Sequence, residues 1–219
     1  MSRKFGVIAL VGVLVVSGCR VTDRTDEDAT LDTTGQQTGM PPAQPAQPMP
    51  PQQQPQGEMR IEVNLAAREL HVYRGGQRVE THPVAVGSSE WPTPTGEWSI
   101  GQVVFNPEWI PPDEAWAEDE ERKAPGDPKN PLGRAQLVYR APNSIHGTNA
   151  PESLGQAVSH GSIRVSNEVA VQLARQVMDA GGASRDESFF RQVEQDRTRR
   201  ESVSIPNPVP IRVVSGGSN

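Results

Sequence analysis

His146 and His160 bracket a glycine-bearing stretch, and Ser162 stands two residues beyond the second histidine. Acyl transfer needs these groups together: a nucleophile, a base to take its proton, and backbone donors for the oxyanion that develops at the attacked carbonyl. Gly147, Gly155 and Gly161 let the backbone approach a substrate closely and take positive φ. Arg164 and Asn167 follow directly, and an apolar-periodic segment opens at Val169. Two histidines could also begin a metal hydrolase, but no third ligand stands at a recognisable zinc spacing, so no metal ligand is assigned.

The chain that must position these groups has 219 residues, one cysteine and a formal net charge of -6. That length suits one domain of ordinary size with tails. A single cysteine excludes an intramolecular disulfide, and the acidic balance argues against a nucleic-acid partner, which needs clustered Lys and Arg. Residues 1–19 begin with basic Arg3 and Lys4, continue through an apolar run from Phe5 to Val16 too short to span a bilayer comfortably, and end Val16-Ser17-Gly18-Cys19. This resembles a bacterial lipobox and implies a lipoprotein signal peptide with Cys19 as the lipidated residue. The alternative is an ordinary signal peptide with a buried or incidental cysteine. Residues 20–58, acidic and then rich in Pro and Gln, bury too little apolar surface to fold. They are expected to form a disordered tether spanning roughly 35 Å as a coil and at most about 120 Å extended. Because Arg20 follows the cysteine, an outer-membrane anchor facing the periplasm is expected, which sets the protein in the cell envelope.

From Met59 the pattern changes. Arg60 to Leu65 alternates with period two, as does Glu69 to Arg74, and Gly75-Gly76 supplies a hairpin turn into a third strand over Arg78 to Gly87. His71 and His82 are expected as exposed strand residues. Ser88 to Gly96 reads as a proline-stiffened loop before a strand from Glu97 to Phe105. Residues 106–133 form a connection long enough to be functional. Within it, Asp113 to Arg122 is expected as a short solvated helix, and Trp109, Trp116 and Pro111-Pro112 either wall a lid or pin the loop to the sheet. A strand over Arg134 to Arg140, with Tyr139 packed in the core and its hydroxyl at the surface, turns at Pro142-Asn143 towards His146. Ser166 to Glu168 marks a helix start. Val169, Leu173 and Val177 repeat at helical spacing, placing that helix on the sheet, with its N-terminal dipole available to an oxyanion near Ser162. Residues 184–202 read as a charged surface helix, Ile205 to Val214 as the last strand, and 215–219 as a tail.

The wording of these stretches resembles the L,D-transpeptidase (YkuD-like) catalytic domain. An HGT turn at His146, then SHGS at Ser159 to Ser162, Ile163-Arg164 and Asn167 match that family's signature, except that the family carries cysteine at the position of Ser162. PTPTG at Pro92 to Gly96 and the run from Pro125-Gly126 to NPLG at Asn130 to Gly133 match it elsewhere, in the same order. The resemblance covers residues 59–214, with 184–202 looking like an insertion. It implies a mostly β fold, a β-sandwich or barrel of mixed sheets with one packed α-helix and a C-terminal helical insertion. It also implies a groove for peptidoglycan stem peptides and no cofactor. By position it implies His146 as base, the Gly147 carbonyl as its orienting group and Ser162 as nucleophile. Thr148, Ser159, His160, Gly161, Arg164 and Asn167 would contact substrate.

Serine in place of cysteine alters the chemistry. A thiol can ionise ahead of attack, whereas a hydroxyl must lose its proton as it attacks. Two outcomes are open: an active serine acyltransferase, or a pseudoenzyme that keeps the groove and binds wall peptide without turnover.

Overall fold

Alternation fixes which side chains enter the core. In β1 (Met59–Asn64) the apolar Met59, Ile61 and Val63 are at most 2% exposed. β2 (Glu69–Arg74) runs antiparallel to it, with Leu70 opposite Val63 and Val72 opposite Ile61. Gly75 and Gly76, both at positive φ, return the chain into β3 (Gln77–Pro83). The structure, a computed structural model, describes residues 58–216. The signal-like segment with Cys19, the tether as far as residue 57 and the last three residues lie outside the described residues.

The expected single strand over Arg78 to Gly87 is two strands. β3 ends at Pro83, and β4 (Val86–Gly87) pairs in parallel with β8 (Ala157–Ser159) in a separate two-stranded sheet. Between them, Ala85 exchanges two backbone hydrogen bonds, both 2.9 Å, with Arg164 of β9 (Ile163–Arg164). Val84 and Ala85 are both fully buried, so an unbroken apolar pattern conceals a change of partner.

β5 (Gly96–Phe105), β6 (Ala135–Arg140), β7 (Asn143–His146) and β10 (Glu201–Val214) complete the main sheet, in the order β3-β2-β1-β10-β5-β6-β7-β9. The sheet is mixed: β1 with β10 and β7 with β9 are parallel, and the other pairs antiparallel. β3 and β9 are its two edges, so the Ala85–Arg164 bridge just past β3 curls the sheet towards closure. α1 (Asn167–Ala180) packs on β5, β6, β7 and β10 through Ala170, Leu173, Ala174, Val177 and Met178. Ser166 caps it, its hydroxyl accepting from the Val169 N–H at 3.2 Å.

Five further expectations are corrected. Asp113 to Arg122 holds only a 3-10 turn, Ala115–Ala117, because Glu114 is extended and acidic residues repel at helical spacing, as at Glu114 and Glu118. The last strand starts at Glu201, not Ile205; its register with β5 breaks between Ser204 and Val209, where Pro206 and Pro208 cannot donate to a ladder. His71 is buried, its Nε2 3.0 Å from Glu69, and His82 is half-buried against Glu80. Tyr139 is buried hydroxyl and all, without a hydrogen-bond partner among the described residues, and burial pushes its phenol up. The charged 184–202 segment contains α2 (Glu187–Gln195), which is anchored in the core rather than merely solvated: Phe190 and Val193 are buried, and the Phe190 ring lies 6.0 Å from that of Phe105.

Leu173 fills the interface between α1 and the sheet without exposure. Leu173→Ala should lower the unfolding free energy by about 2–5 kcal/mol. Val158→Ala, at a side chain 43% exposed, should change it by less than about 0.5 kcal/mol. Urea unfolding of both variants checks the contrast.

Candidate active site

β7 and β9 meet as a two-residue parallel ladder, Ile145 opposite Ile163 and His146 opposite Arg164. The two isoleucines are fully buried in the core. Period two then sends Ser144, His146, Ser162 and Arg164 to the other face, where all four line a groove of ≈ 650 Å³.

His146 is buried, with Nδ1 2.6 Å from the Gly147 carbonyl oxygen. A carbonyl only accepts, so Nδ1 carries the proton and Nε2 keeps its lone pair. Burial pulls the imidazole from its ordinary value near 6.5 to about 4; the Gly147 hydrogen bond opposes this, and the Arg164 charge adds to it. The ring is therefore neutral at neutral pH.

The Gly147 carbonyl is held by a bracket behind the groove. The Asn167 Oδ1 accepts from the Arg134 N–H at 2.9 Å, and its Nδ2 donates to the Thr148 carbonyl at 2.8 Å. A Cβ on Gly147 would lie 2.3 Å from Asn167 Oδ1, and one on Gly133 would lie 2.0 Å from it. Both positions must be glycine for this amide to enter. The Thr148 hydroxyl accepts from the Ala150 N–H at 3.0 Å, fixing the turn that follows.

Ser162 sits at the end of a tight turn. The Ser159 hydroxyl donates to the Ser162 carbonyl at 2.5 Å and accepts from the Gly161 N–H at 3.2 Å, with Gly161 at φ +94. The Ser162 Oγ accepts from the Ser144 N–H at 3.3 Å. Among the described residues no hydrogen bond joins Ser162 to His146. The Arg164 guanidinium has no carboxylate within ion-pair distance among the described residues, and burial lowers its pKa.

His160 joins two loops. Trp116 of the 106–133 connection stacks on it, with centroids 3.7 Å apart and planes 6° apart, and Trp91 of the proline-stiffened loop lies 4.4 Å away on a tilt. Trp109 and Trp116 both line the groove, so the connection walls it rather than only pinning to the sheet. The connection is closed at its base by two backbone hydrogen bonds between Trp109 and Lys123, and Asn130 donates to the Pro107 carbonyl at 2.8 Å.

Of the residues expected from sequence, Ser162, His146, Ser159, His160 and Arg164 line the groove. Gly147, Thr148, Gly161 and Asn167 do not; they build the backbone behind it. The first turn of α1 is likewise engaged in the bracket rather than facing the groove. Sequence reasoning missed Ser144, whose N–H meets the Ser162 oxygen, and Gly133 and Arg134, which complete the bracket. Serine alternating with His146 in β7 was the available signal for the first; Gly133 closes the NPLG run, and nothing local marked Arg134. Among the described residues no three His, Cys, Asp or Glu side chains gather as a metal set.

Residues 58–205 match the family described as YkuD, L,D-transpeptidase catalytic domain. The chain is 35% identical over 116 residues to the YkuD protein of Bacillus licheniformis, covering 52% of this chain and 58% of that one. It is 33% identical over 117 residues to the YbiS protein of Escherichia coli K12, covering 49% and 38%. An L,D-transpeptidase structure from Mycobacterium smegmatis is similar at a TM-score of 0.49 and 17% identity, over 73% of this chain and 59% of that one. The chain thus spans less than two-thirds of the length of these relatives.

Between pH 6.5 and about 4 the unfolded chain protonates His146 while the folded chain does not. Stability should therefore fall on acidification through that window, by an amount on the order of 3 kcal/mol, and be unaffected by this group above it. Urea unfolding across pH, with His146→Gln as the reference lacking this component, measures it.

Proposed function

The chain belongs to the YkuD family of L,D-transpeptidase catalytic domains, and from that membership we propose an acyltransferase acting on peptidoglycan stem tetrapeptides, with Ser162 as nucleophile. The observation that carries this reading is the convergence of Ser144, His146, Ser162 and Arg164 on one face of the β7–β9 ladder, inside one groove.

The Ser162 oxygen attacks the peptide carbonyl preceding a D-residue as its proton passes to His146 Nε2. The Nδ1–H bond to the Gly147 carbonyl holds the ring in the tautomer that can accept it. The tetrahedral intermediate collapses, the C–N bond breaks, and the departing amine takes the proton back from His146. An acceptor amine or water then attacks the ester carbonyl and gives its proton to His146, and the acyl–oxygen bond breaks as that proton returns to Ser162 Oγ. A hydroxyl cannot ionise ahead of attack, so the base must be neutral beforehand, as His146 is with a value of about 4. The same burial makes it a weak acceptor, which the negative charge of the intermediate offsets. Arg164, half-buried and without a carboxylate partner among the described residues, meets a substrate carboxylate.

One observation favours a second reading, a pseudoenzyme that binds wall peptide without turnover. Ser162 Oγ rests on the Ser144 N–H and has no hydrogen bond to His146 among the described residues. A groove shaped for a longer thiol would leave oxygen short of the carbonyl, and a misplacement on the order of 1 Å can cost about a hundredfold in rate.

Sequence alone supports the setting. Cys19 is proposed as the lipidated residue that anchors the protein to a membrane, residues 20–58 as the tether, and the envelope, with the domain facing the periplasm, as the location.

Incubation of the protein with a stem tetrapeptide and an amine acceptor, followed by chromatography of the released D-residue, tests the reading. Wild type should release it, and Ser162→Ala should be inactive. Turnover gained only with Ser162→Cys would establish the second reading. Silence from all three folded proteins would contradict the acyltransferase.

A further inference from the structure

Asn106 is a buried, non-glycine residue held at φ +44, in the left-handed region that asparagine tolerates better than most residues. Its amide nitrogen donates to three carbonyls in the segment containing α2: Val193 at 2.8 Å, Asp196 at 3.1 Å and Arg199 at 3.0 Å. An amide has two hydrogens, so one is shared between acceptors. Its oxygen accepts from Arg134 Nε at 3.2 Å, and Arg134 Nη2 reaches the carbonyls of Val193 and Glu194 at 3.3 and 3.2 Å. The last carbonyls of a helix lack intrahelical partners, and a cation there opposes the negative end of the dipole. α2 has no basic residue of its own in its last turn, and Arg134 supplies the charge from β6's approach.

The same Arg134 enters the bracket behind His146. Its backbone N–H donates to Asn167 Oδ1, Asn167 donates to the Thr148 carbonyl, and the Gly147 N–H donates to the Ala135 carbonyl at 3.0 Å. The Gly147 carbonyl between these anchors receives the His146 Nδ1–H. Hydrogen bonds linked through the backbone of Arg134 and of Gly147–Thr148 thus connect the C-terminus of α2 to the imidazole. Neither Asn106 nor Arg134 lines the groove.

We propose that the 184–202 segment, through Asn106 and Arg134 as positioning residues, holds the Gly147 carbonyl where it keeps His146 in its Nδ1–H tautomer. The consequence for catalysis rests on His146 being the base of the proposed acyltransferase. The structural coupling itself does not. With those hydrogen bonds broken, the carbonyl drifts, the Nδ1 bond is lost, and the ring is free to take the other tautomer, whose Nε2 carries a proton and cannot accept one.

The test uses the full chain with nitrogen-15-labelled histidine. Asn106→Gly removes the amide while tolerating the positive φ, Arg134→Met removes the guanidinium and keeps its stem, and Arg134→Lys keeps the charge. Nitrogen-15 shifts of the His146 ring at neutral pH report its tautomer directly. Wild type should be Nδ1–H. Asn106→Gly and Arg134→Met should lose that state in a large share of molecules, with Arg134→Lys intermediate. Where turnover is measurable, kcat should fall about tenfold with KM nearly unchanged. Unchanged ring shifts in the folded variants overturn the proposal, and Arg134→Lys provides that comparison should the stronger substitutions unfold. A protein that turns over no peptide in any form would refute the function instead, while the ring shifts still decide the coupling.

Discussion

The groove depends on a ladder of two residues. β9 is only Ile163–Arg164, yet it is bonded on both sides, to β7 through Ile145 and His146 and to Ala85 through a pair of 2.9 Å hydrogen bonds. That double engagement fixes its register. A slip of one residue would send Ser162 and Arg164 into the core and bring Ile163 into the groove. The curl of the main sheet supplies the second contact, since Ala85 follows one edge strand and Arg164 lies on the other.

Around this ladder, polar groups are placed by exclusion of alternatives. Gly133 and Gly147 leave the only room for the Asn167 amide, and that amide ties β6, the His146 turn and the start of α1 together. The imidazole is neutral because it is buried and beside Arg164, and oriented because a carbonyl faces Nδ1. These are the properties a serine mechanism asks of its base, whereas a thiol could tolerate a charged ring as its ion partner. Trp116 and Trp91 both pack against His160, so one groove-lining side chain joins the 106–133 connection to the proline-stiffened loop.

Much of this was legible in the sequence, and what was not had physical reasons. Period two in β1 and β2, the Gly75-Gly76 turn and the Ser166 cap of α1 are local signals, and the structure places each within one residue of its pattern. Signals that depend on distant partners were not readable. The break at Val84-Ala85 is invisible in an apolar run, because the switch from β2 to β9 changes partner without changing burial. The anchoring of α2 by Phe190 and Val193 hides behind its charged composition, and Asn106 looked like the first residue of a loop. At the site, the wording around His146 and Ser162 carried the resemblance. Which residues face the groove and which brace it could be told only from the register of β7 against β9.

Acyl transfer by this chain requires that Ser162 become an ester. Rapid-quench intact-protein mass spectrometry on the chain mixed with a stem tetrapeptide, without acceptor, measures this most directly. The expected result is a mass increase equal to the peptide acyl group lacking its terminal D-residue, mapped to Ser162 and absent from Ser162→Ala. An unmodified mass in protein shown by equilibrium binding to hold the tetrapeptide would contradict it.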